Sequence, residues 1–306
     1  MNNSDRLIWL NGVLLPVADA KVNVLSPTCQ FGANVFEGIR CYWNSSNNQL
    51  YAFRLKDHFA RLQKSVKLFR FEEKYSFEDL KNSFIETIKA NNYTEDIAVL
   101  QTIFLDGMGS WFATTPTGMF IAPIPKNRLD PSNSSGIKCC ISTYERINDN
   151  SISPRVKVGA NYINSRSAQL EAFQNNYDSA ILLNNNGKVS EGTGSCLFIV
   201  RNGTILTPPH SASILESITR DTIISVAREE LGLLVVERDI DRTELYIADE
   251  AFLCGSAIEL TSIVNIDGYV IGKGVKGEIT RKLHELYLKI VSGNVVKYSY
   301  WLTPIY

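Results

Sequence analysis

The first half of the chain alternates short apolar runs with turn-forming residues, which is typical of an antiparallel sheet. Residues 7–15 contain two apolar runs around Asn11-Gly12, the strongest local signal of a β-hairpin. After a turn at Pro27, strand-like runs follow at 31–42 and 50–53, and their glycines indicate a backbone that another group approaches closely. The pattern therefore predicts a sheet that begins at the N-terminal hairpin.

Two later stretches carry apolar residues at the spacing of an amphipathic helix. The first covers 55–69, and the second covers 80–88 after a capping box that starts at Ser76. Apolar, β-branched runs then follow at 98–104 and 119–124. This order predicts an α+β domain with helices on one side of an antiparallel sheet.

A polar stretch rich in turn formers, residues 126–135, is the predicted loop between two domains. We expect a small α+β domain at 1–125 and a larger, β-rich domain at 136–306. Asn-Gly turns separate several strand-like runs of the second half, so we expect its sheet to be antiparallel too. The predicted strands are 137–143, 180–183, 196–200 and 205–206, and the predicted helices are 162–173, 218–231 and 278–290.

Charge and composition narrow the class of function. The 306 residues contain 31 Lys and Arg against 32 Asp and Glu, so nothing favours binding to nucleic acid or to an anionic membrane surface. No apolar run approaches the roughly 20 residues of a membrane span, and residues 1–6 lack an export signal. The six cysteines show no C-x-x-C spacing, so we predict no metal site. We expect a cytoplasmic protein that acts on small molecules.

Two residues are the main candidates for chemistry. Lys157 lies among small and apolar neighbours, which can keep a lysine partly dry and give a neutral amine able to attack a carbonyl. Glu191 lies in a strand-like run, where a rigidly held carboxylate can pair with a protonated pyridine nitrogen. A Schiff-base lysine together with such an acid is the combination that pyridoxal 5'-phosphate requires.

Eight short motifs along the chain point to one family. They are Phe36-Glu37-Gly38-Ile39-Arg40-x-Tyr42, His58-x-x-Arg61-Leu62-x-x-Ser65, Lys157-x-Gly159-x-Asn161-Tyr162, Ser190-Glu191-Gly192-x-Gly194, Ile218-Thr219-Arg220-Asp221, Ala248-Asp249-Glu250-x-Phe252, Gly255-Ser256-Ala257-x-Glu259 and Trp301-Leu302. In this order, over nearly the whole chain, they resemble the fold-type IV pyridoxal-phosphate enzymes, most closely the branched-chain amino-acid aminotransferases. The resemblance implies a two-domain α+β fold like that of D-amino-acid aminotransferase, the cofactor pyridoxal 5'-phosphate, and a homodimer in which a partner loop closes the active site.

The resemblance also implies roles for individual residues. Lys157 would bind the cofactor and move a proton between the substrate Cα and the cofactor carbon, and Glu191 would keep the pyridine nitrogen protonated. A helix start at Ile218, with Arg61 and Ser256, would bind the phosphate. The full sets are Arg61, Tyr162 (at the ring hydroxyl), Glu191, Leu215, Ile218, Thr219, Gly255 and Ser256 for the cofactor, and Phe31, Phe36, Arg40, Leu100, Arg128 and Ala257 for the substrate.

The predicted substrate site departs from the family pattern. Where the branched-chain enzymes carry a Tyr-x-Arg pair on a small-domain strand, this chain has Ala98 and Leu100, so the arginine that binds the side-chain carboxylate of glutamate is absent. Its loss weakens carboxylate binding unless another cation replaces it. The candidate cations are Arg40, Arg128 and Arg166, and further departures are Phe31 for a tyrosine, Ser217 for a glycine and Cys196 for an asparagine.

These observations predict an aminotransferase that moves an amino group between an amino acid and a 2-oxo acid in a ping-pong cycle through pyridoxamine phosphate. Weak use of glutamate and a specialised biosynthetic substrate are expected. One alternative is a fold-type IV lyase such as aminodeoxychorismate lyase, which uses the same lysine and acid for elimination. Another is a non-enzymatic member of the fold, which the retention of both Lys157 and Glu191 disfavours.

Two patterns receive plainer interpretations. Gly272-x-Gly274-x-x-Gly277 matches the dinucleotide-binding fingerprint, but only about thirty residues follow it, too few for a nucleotide-binding half. We therefore predict a glycine-rich turn. We expect His58, on the first amphipathic helix, to position Arg61 and not to act as a catalytic histidine.

Overall fold

The structure, a computed structural model, describes residues 6–306 and contains two compact units, each discontinuous in sequence. The first unit consists of the chain up to Arg128, the segment Val156–Ala160 and the C-terminal segment Lys289–Tyr306. The second consists of Leu129–Arg155 and Asn161–Leu288. Residues 1–5, on which the predicted lack of an export signal rests, lie outside the described residues.

Strands and helices follow one another along the chain in the mixed order that the sequence predicts. Up to residue 128 they are β1 (Leu7–Leu10), β2 (Val13–Pro16), α1 (Pro27–Phe31), β3 (Asn34–Asn44), β4 (Gln49–Phe53), α2 (Leu55–Leu68), α3 (Phe77–Asn91), β5 (Ile97–Leu105) and β6 (Thr117–Pro125). They continue with β7 (Ile137–Glu145), α4 (Asn161–Gln174), β8 (Ser179–Leu183), β9 (Val189–Gly192), β10 (Cys196–Arg201), β11 (Thr204–Thr207), α5 (Ile218–Leu231), β12 (Val235–Glu237), α6 (Arg242–Tyr246), β13 (Glu250–Gly255), β14 (Glu259–Ile266), β15 (Tyr269–Val270), α7 (Glu278–Val291) and β16 (Leu302–Pro304). None of these helices, all within the described residues, is long and apolar enough to cross a membrane.

The first unit is built on an antiparallel sheet with the strand order β16-β4-β3-β5-β6-β1-β2 over the described residues. Strands β1 and β2 form the predicted hairpin, and Asn11 and Gly12 take the positive φ values of 50° and 98° that its tight turn needs. Helices α2 and α3 cover one face of the sheet, where Phe59, Leu62 and Phe84 are fully buried in the core. The predicted α+β architecture of this half is confirmed.

Local sequence signals set the starts of the helices in this unit. The Ser76 hydroxyl accepts from the Asp79 N–H and the Asp79 carboxylate accepts from the Ser76 N–H, so the predicted capping box of α3 is confirmed. Helix α1 lies where the sequence indicates only a turn. Ser26 caps it and Gly32 ends it with a φ of 68°. Five residues are too few to show a helical period, which explains why the pattern does not predict it.

The second unit contains a mixed sheet, so the prediction of an antiparallel sheet is wrong. Over the described residues its order is β12-β11-β10-β13-β14-β7-β8-β9, with β15 on β14. Strand β7 runs parallel to both β8 and β14, and β11 runs parallel to β12. The reason is that α4 connects β7 to β8 and α5 connects β11 to β12, and such helical crossovers return the chain in the same direction.

The glycine-rich segment after β15 forms a turn, as predicted. Gly272 and Gly274 have positive φ values of 54° and 72°, and a Cβ at Gly272 would lie 2.1 Å from the carbonyl oxygen of Asp249. The strand before it, β15, has two residues and pairs antiparallel with β14. A dinucleotide-binding site needs a buried parallel strand at this point, so the fingerprint match has no such context.

Candidate active site

Lys157 lies in an extended segment of the first unit that pairs with an edge of β3. The Phe36 N–H donates to the Lys157 carbonyl at 2.9 Å, and the Gly159 N–H donates to the Asn34 carbonyl at 3.1 Å. Strand β5 occupies the other edge of β3 at these residues. A Cβ at Gly159 would lie 2.6 Å from the Asn34 side-chain oxygen, which explains the glycine two residues after the lysine. The backbone of Lys157 is therefore fixed on β3.

The Lys157 side chain extends over an aromatic ring of the same strand. Its Nζ lies 4.9 Å from the centre of the Phe36 ring, within the range of a cation–π contact. Its backbone N–H donates to the Ser65 hydroxyl of α2 at 3.3 Å. Strand β3 and helix α2 thus position both the backbone and the amine of Lys157.

Glu37, the residue after Phe36, is a fully buried carboxylate with several charged or polar contacts. Arg61 Nε donates to its Oε1 and Arg61 Nη2 to its Oε2, both at 2.7 Å, and His58 Nδ1 lies 2.7 Å from Oε2. Burial alone raises the pKa of Glu37, but the charge of Arg61 and the hydrogen bonds of Arg61 and His58 lower it to about 2. Glu37 is therefore ionised at neutral pH and forms a bidentate pair with Arg61.

His58 contributes to this network as a neutral ring. Burial lowers its pKa, and the charges of Arg61 and Lys157 lower it further, although Glu37 acts in the opposite direction. An ionised carboxylate only accepts hydrogen bonds, so the hydrogen of neutral His58 is on Nδ1. His58 and Arg61 are one turn apart on α2 and both contact Glu37.

The face of the sheet opposite α2 and α3 carries the predicted substrate residues of β3 and β5. In the β3–β5 ladder Gly38 stands opposite Leu100, and Arg40 stands opposite Ala98. Directly opposed residues point to the same face, and so does Phe36, two residues before Gly38. Phe36, Ala98 and Leu100 are half-buried within the chain, whereas Arg40 is buried. Apolar side chains therefore dominate this face next to Arg40.

The two arginines proposed as substitute cations in this unit lie near Tyr42. The guanidinium carbons of Arg40 and Arg128 lie 4.9 and 5.6 Å from the centre of the Tyr42 ring. Arg40 Nη2 donates to the Lys126 carbonyl at 3.0 Å. Arg128 donates twice to the Asp96 carboxylate, at 2.5 and 2.6 Å. The charge of Arg128 is thus already matched by an internal carboxylate.

Three further predicted residues lie at the surface of their units. Phe31 is the last residue of α1 and is 50% exposed. Tyr162 and Arg166 lie on α4 of the second unit, and both are exposed.

In the second unit, Glu191 lies on β9 with its carboxylate buried. Arg146 Nη2 lies 2.8 Å from Glu191 Oε1, the Leu215 N–H donates to Oε2 at 3.2 Å, and the Cys196 thiol lies 3.8 Å from Oε2. The side chains of Arg146 and Glu191 are 7% and 6% exposed. A charge-assisted bond at this depth favours the ionised carboxylate.

The start of α5 offers an anion-binding position in the second unit. Ser217 is the N-cap, and its hydroxyl accepts from the Arg220 N–H at 3.2 Å. Ile218 and Thr219 are the first two residues of the helix, whose amides lie at the positive end of the helix dipole. The Arg220 side chain donates to the Glu237 carboxylate at 2.8 Å, and this hydrogen bond lowers the pKa of Glu237. The guanidinium of Arg220 thus helps to fix the helix on β12.

A tight turn between β13 and β14 carries the last predicted residues. Gly255 pairs with Glu259, and the Ile258 N–H donates to the Gly255 carbonyl at 3.1 Å, so Ser256 and Ala257 form the tip. Leu215, which donates to Glu191, precedes α5 in the same unit. The second unit therefore holds the predicted ring acid, the helix start and this turn.

The sequence profile of the amino-transferase class IV family matches residues 34–266, more than half of the chain. The chain belongs to the class IV aminotransferase family. The predicted family, fold class and enzyme class are thereby confirmed, and the chain is an aminotransferase.

Individual relatives of this class IV aminotransferase are similar over nearly their whole length. A probable branched-chain-amino-acid aminotransferase of Aquifex aeolicus is 38% identical over 303 residues, which is 97% of this chain and 96% of that protein. The branched-chain amino acid aminotransferase of Thermobaculum terrenum, solved in its PLP-form, is 40% identical with a TM-score of 0.94 and 100% coverage of both chains. The branched-chain aminotransferase of the archaeon Thermoproteus uzoniensis, solved with norvaline, is 40% identical with a TM-score of 0.92, and the match covers 98% of this chain and 99% of that one. All three are aminotransferases, so they give no support to the lyase alternative.

Two charged residues, Glu37 and Arg146, contact predicted site residues, although no sequence motif predicts a role for either of them. The sequence does indicate that Glu37 is buried, because it lies two residues from both Val35 and Ile39 and therefore shares their buried face of β3. A charge on such a face needs a partner. The sequence gives no such indication for Arg146. It lies far before Glu191 in the chain, and only the fold brings the two together.

Proposed function

We propose that this chain is a pyridoxal 5'-phosphate-dependent aminotransferase that moves the amino group of an amino acid with an apolar side chain to a 2-oxo acid. The observation that carries the proposal is the position of Lys157. Its backbone is held on β3, and its amine lies over Phe36, a residue on the same face of the sheet as Ala98 and Leu100. An amine on a fixed backbone beside an apolar surface suits carbonyl chemistry on substrates with apolar side chains.

The residues present fit this cofactor. When bound, pyridoxal 5'-phosphate supplies a carbon that exchanges the amino group and a protonated ring that accepts electrons. The chain offers an amine in Lys157, a buried carboxylate in Glu191, and anion-binding groups in Arg61 and the first turn of α5. In addition, Arg146 Nε and Nη1 are buried and have no hydrogen-bond partner among the described residues. Buried N–H donors without a hydrogen-bond acceptor are rare in proteins, and a polar group of a ligand beside Glu191 would accept from them.

We assign proton transfer to Lys157. In this role Nζ would hold the cofactor in the absence of substrate, and once the substrate amine has displaced it, Nζ would take up and return the proton of the substrate Cα. The backbone bonds to Phe36 and Asn34 fix the Cα of Lys157. The flexible carbon stem of the side chain would let Nζ move between the two carbons that exchange the proton. Phe36 provides an apolar surface that disfavours water next to the amine.

We assign control of the ring charge to Glu191. Its carboxylate would accept the hydrogen of the pyridine nitrogen and keep that nitrogen protonated. The guanidinium of Arg146 and the N–H of Leu215 favour the ionised form of Glu191 and fix the direction of its oxygens. Arg146 is thus proposed as a positioning residue for the acid.

The substrate preference follows from the face of the sheet that carries Ala98 and Leu100. Among the three candidate cations, Arg128 is engaged by Asp96 and Arg166 lies at the surface of α4, whereas Arg40 shares the face with Ala98. This supports Arg40 as the cation of the site and apolar side chains as its best fit. We propose that glutamate is a weaker donor than leucine, isoleucine or valine.

A Leu100→Arg protein is expected to gain activity with glutamate. A bidentate bond from arginine to the side-chain carboxylate contributes about 1.5–3 kcal/mol, so kcat/KM for glutamate should rise about 10- to 100-fold, while kcat/KM for leucine should fall. Steady-state kinetics with both donors and one 2-oxo acid measures this. Leu100→Gln, polar but uncharged, is the matched control and should leave glutamate poor. An unchanged glutamate rate in the arginine variant would show that position 100 does not face the substrate.

The proposed reaction is tested by the absorption spectrum of the cofactor-loaded protein. Single donors are added without an acceptor, and the yellow colour should bleach with branched-chain donors and return when a 2-oxo acid is supplied. Glutamate should bleach it more slowly. Bleaching by none of the donors would contradict the proposed transamination, and a colourless protein that does not take up the cofactor would contradict the cofactor assignment.

We also propose a homodimer, supported by apolar side chains at the surface of the loop after β5. Met108, Trp111 and Phe112 are 72%, 71% and 70% exposed, and the rings of Trp111 and Phe112 are in edge contact. Such a group of large apolar side chains is typical of a protein–protein contact.

A Trp111→Glu, Phe112→Glu protein is therefore expected to be monomeric at micromolar concentration. The reason is that both charges would be buried without partners in the proposed contact. Light scattering after size-exclusion chromatography gives the mass of the wild type and of the variant. Val296→Glu, at an 86% exposed position of the same unit, is the control and should remain dimeric. A dimeric Trp111 and Phe112 variant would place the contact elsewhere.

A further inference from the structure

We propose that Glu37 is the positioning residue for Arg61, which it holds in the orientation that binds the cofactor phosphate, with His58 as a second contact to Glu37. This inference rests on the proposed function, because it concerns how pyridoxal 5'-phosphate is bound. It gives Glu37 a role in binding, although the carboxylate itself would not touch the ligand.

The first argument is the shape of the contact. Glu37 bonds to Nε and Nη2 of Arg61, which lie along one side of the planar guanidinium. Two parallel bonds on that side fix both the position and the rotation of the plane. The guanidinium of Arg61 therefore keeps one defined orientation, and the rotamer entropy that a mobile arginine would lose on binding a ligand is already lost.

The second argument is the sign of the charge. A carboxylate that is ionised at neutral pH lies beside the cation proposed to bind a dianionic phosphate. Its negative charge opposes phosphate binding, so a residue that served only to attract the phosphate would not be acidic. A positioning role explains the acid. Glu37 offsets the positive charge of Arg61, so the contribution of Arg61 to phosphate binding would come mainly from N–H groups held in a fixed direction.

The third argument is the connection to Lys157. The N–H of Phe36 donates to the carbonyl of Lys157, and the next residue on the same strand is Glu37. Two consecutive residues of β3 thus hold the segment with the reactive amine and the arginine proposed for the phosphate. One rigid strand would therefore keep the Lys157 segment and Arg61 at a constant separation, as a ligand bound by both residues would require.

The experiment compares two ligands of the unloaded protein, pyridoxal 5'-phosphate and pyridoxal, which lacks the phosphate. The ratio of their affinities, measured by absorption titration, isolates the phosphate contribution. In Glu37→Gln we expect affinity for the phosphorylated ligand to fall about 10- to 100-fold and affinity for pyridoxal to change less than about twofold. An unchanged ratio would overturn the proposal, whether both affinities stay the same or both fall equally, because equal loss indicates a purely structural role.

A matched control and a milder variant complete the test. Glu250 is another carboxylate that accepts N–H groups, those of Ile279 and Thr280 at 2.9 and 2.8 Å, so Glu250→Gln should lower the unfolding temperature and leave the ratio unchanged. If Glu37→Gln does not fold, His58→Asn removes one contact to Glu37, and the ratio should fall a few-fold. An unchanged ratio in a folded His58→Asn protein would then overturn the proposal. A wild type that binds neither ligand would instead contradict the proposed function itself.

Discussion

The Lys157→Ala protein is expected to lose at least about 10⁴-fold in kcat for transamination, because in the proposed function this one side chain performs both the attachment to the cofactor and the proton transfer. The change leaves the backbone bonds to Phe36 and Asn34 in place, so the protein should fold as before. Cofactor uptake should persist through the phosphate and ring contacts, without covalent attachment. Single-turnover spectroscopy with leucine as donor measures the rate, and borohydride reduction reports the covalent bond.

The control for this experiment is another lysine of the first unit. Lys67 is exposed on the outer side of α2, and Lys67→Ala should retain the wild-type rate. Circular dichroism of both variants shows whether the fold is intact. A folded Lys157→Ala protein that keeps its full transaminase rate would overturn the assignment of the catalytic lysine.

The parts of the fold that the sequence predicts well are those set by neighbouring residues. The turn at Asn11 and Gly12, the capping box at Ser76 and the extent of α5 depend on groups within a few positions of one another. Local geometry decides such features, so a pattern of a few residues is sufficient. The motifs around Lys157 and Glu191 are also short local runs, and the roles that they indicate for these two residues stay predictions.

The parts that the sequence does not predict depend on contacts between distant segments. The segment of Lys157 pairs with β3, which lies far earlier in the chain, and Arg146 meets Glu191 only after β7 and β9 are both in the sheet. No local periodicity encodes either contact. The same holds for the direction of β7, which a strand-like run cannot reveal because parallel and antiparallel strands share composition when buried.

The division of the chain shows the same limit. A polar stretch at 126–135 marks a change of composition, and the proposed domain limits follow from it. A segment such as Val156–Ala160 groups with the first unit through its bonds to β3, and Lys289–Tyr306 does so through β16 on β4. The unit to which each of these segments belongs is therefore decided by strand pairing and not by local composition.

The Glu191→Gln protein is expected to lose about 10²- to 10³-fold in kcat, or about 3–4 kcal/mol of transition-state stabilisation. Glutamine has the size of glutamate but no negative charge, so the pyridine nitrogen would no longer be held protonated and the ring would accept electrons poorly. Both half-reactions should slow by similar factors, since both need the same charge on the ring. Rapid-mixing absorption measurements with leucine and with its 2-oxo acid test this.

The expected loss of kcat must be separated from the loss of stability that an unpaired buried charge causes. Removing the carboxylate leaves the buried guanidinium of Arg146 without its partner at 2.8 Å, and a buried unpaired charge costs about 3–5 kcal/mol of stability. A double variant, Glu191→Gln with Arg146→Met, removes both charges and should recover most of the unfolding temperature. If Glu191 controls the ring, the double variant stays slow although it is stable. If the rate recovers together with the stability, Glu191 serves only to neutralise Arg146, and the acid that acts on the ring must be another residue.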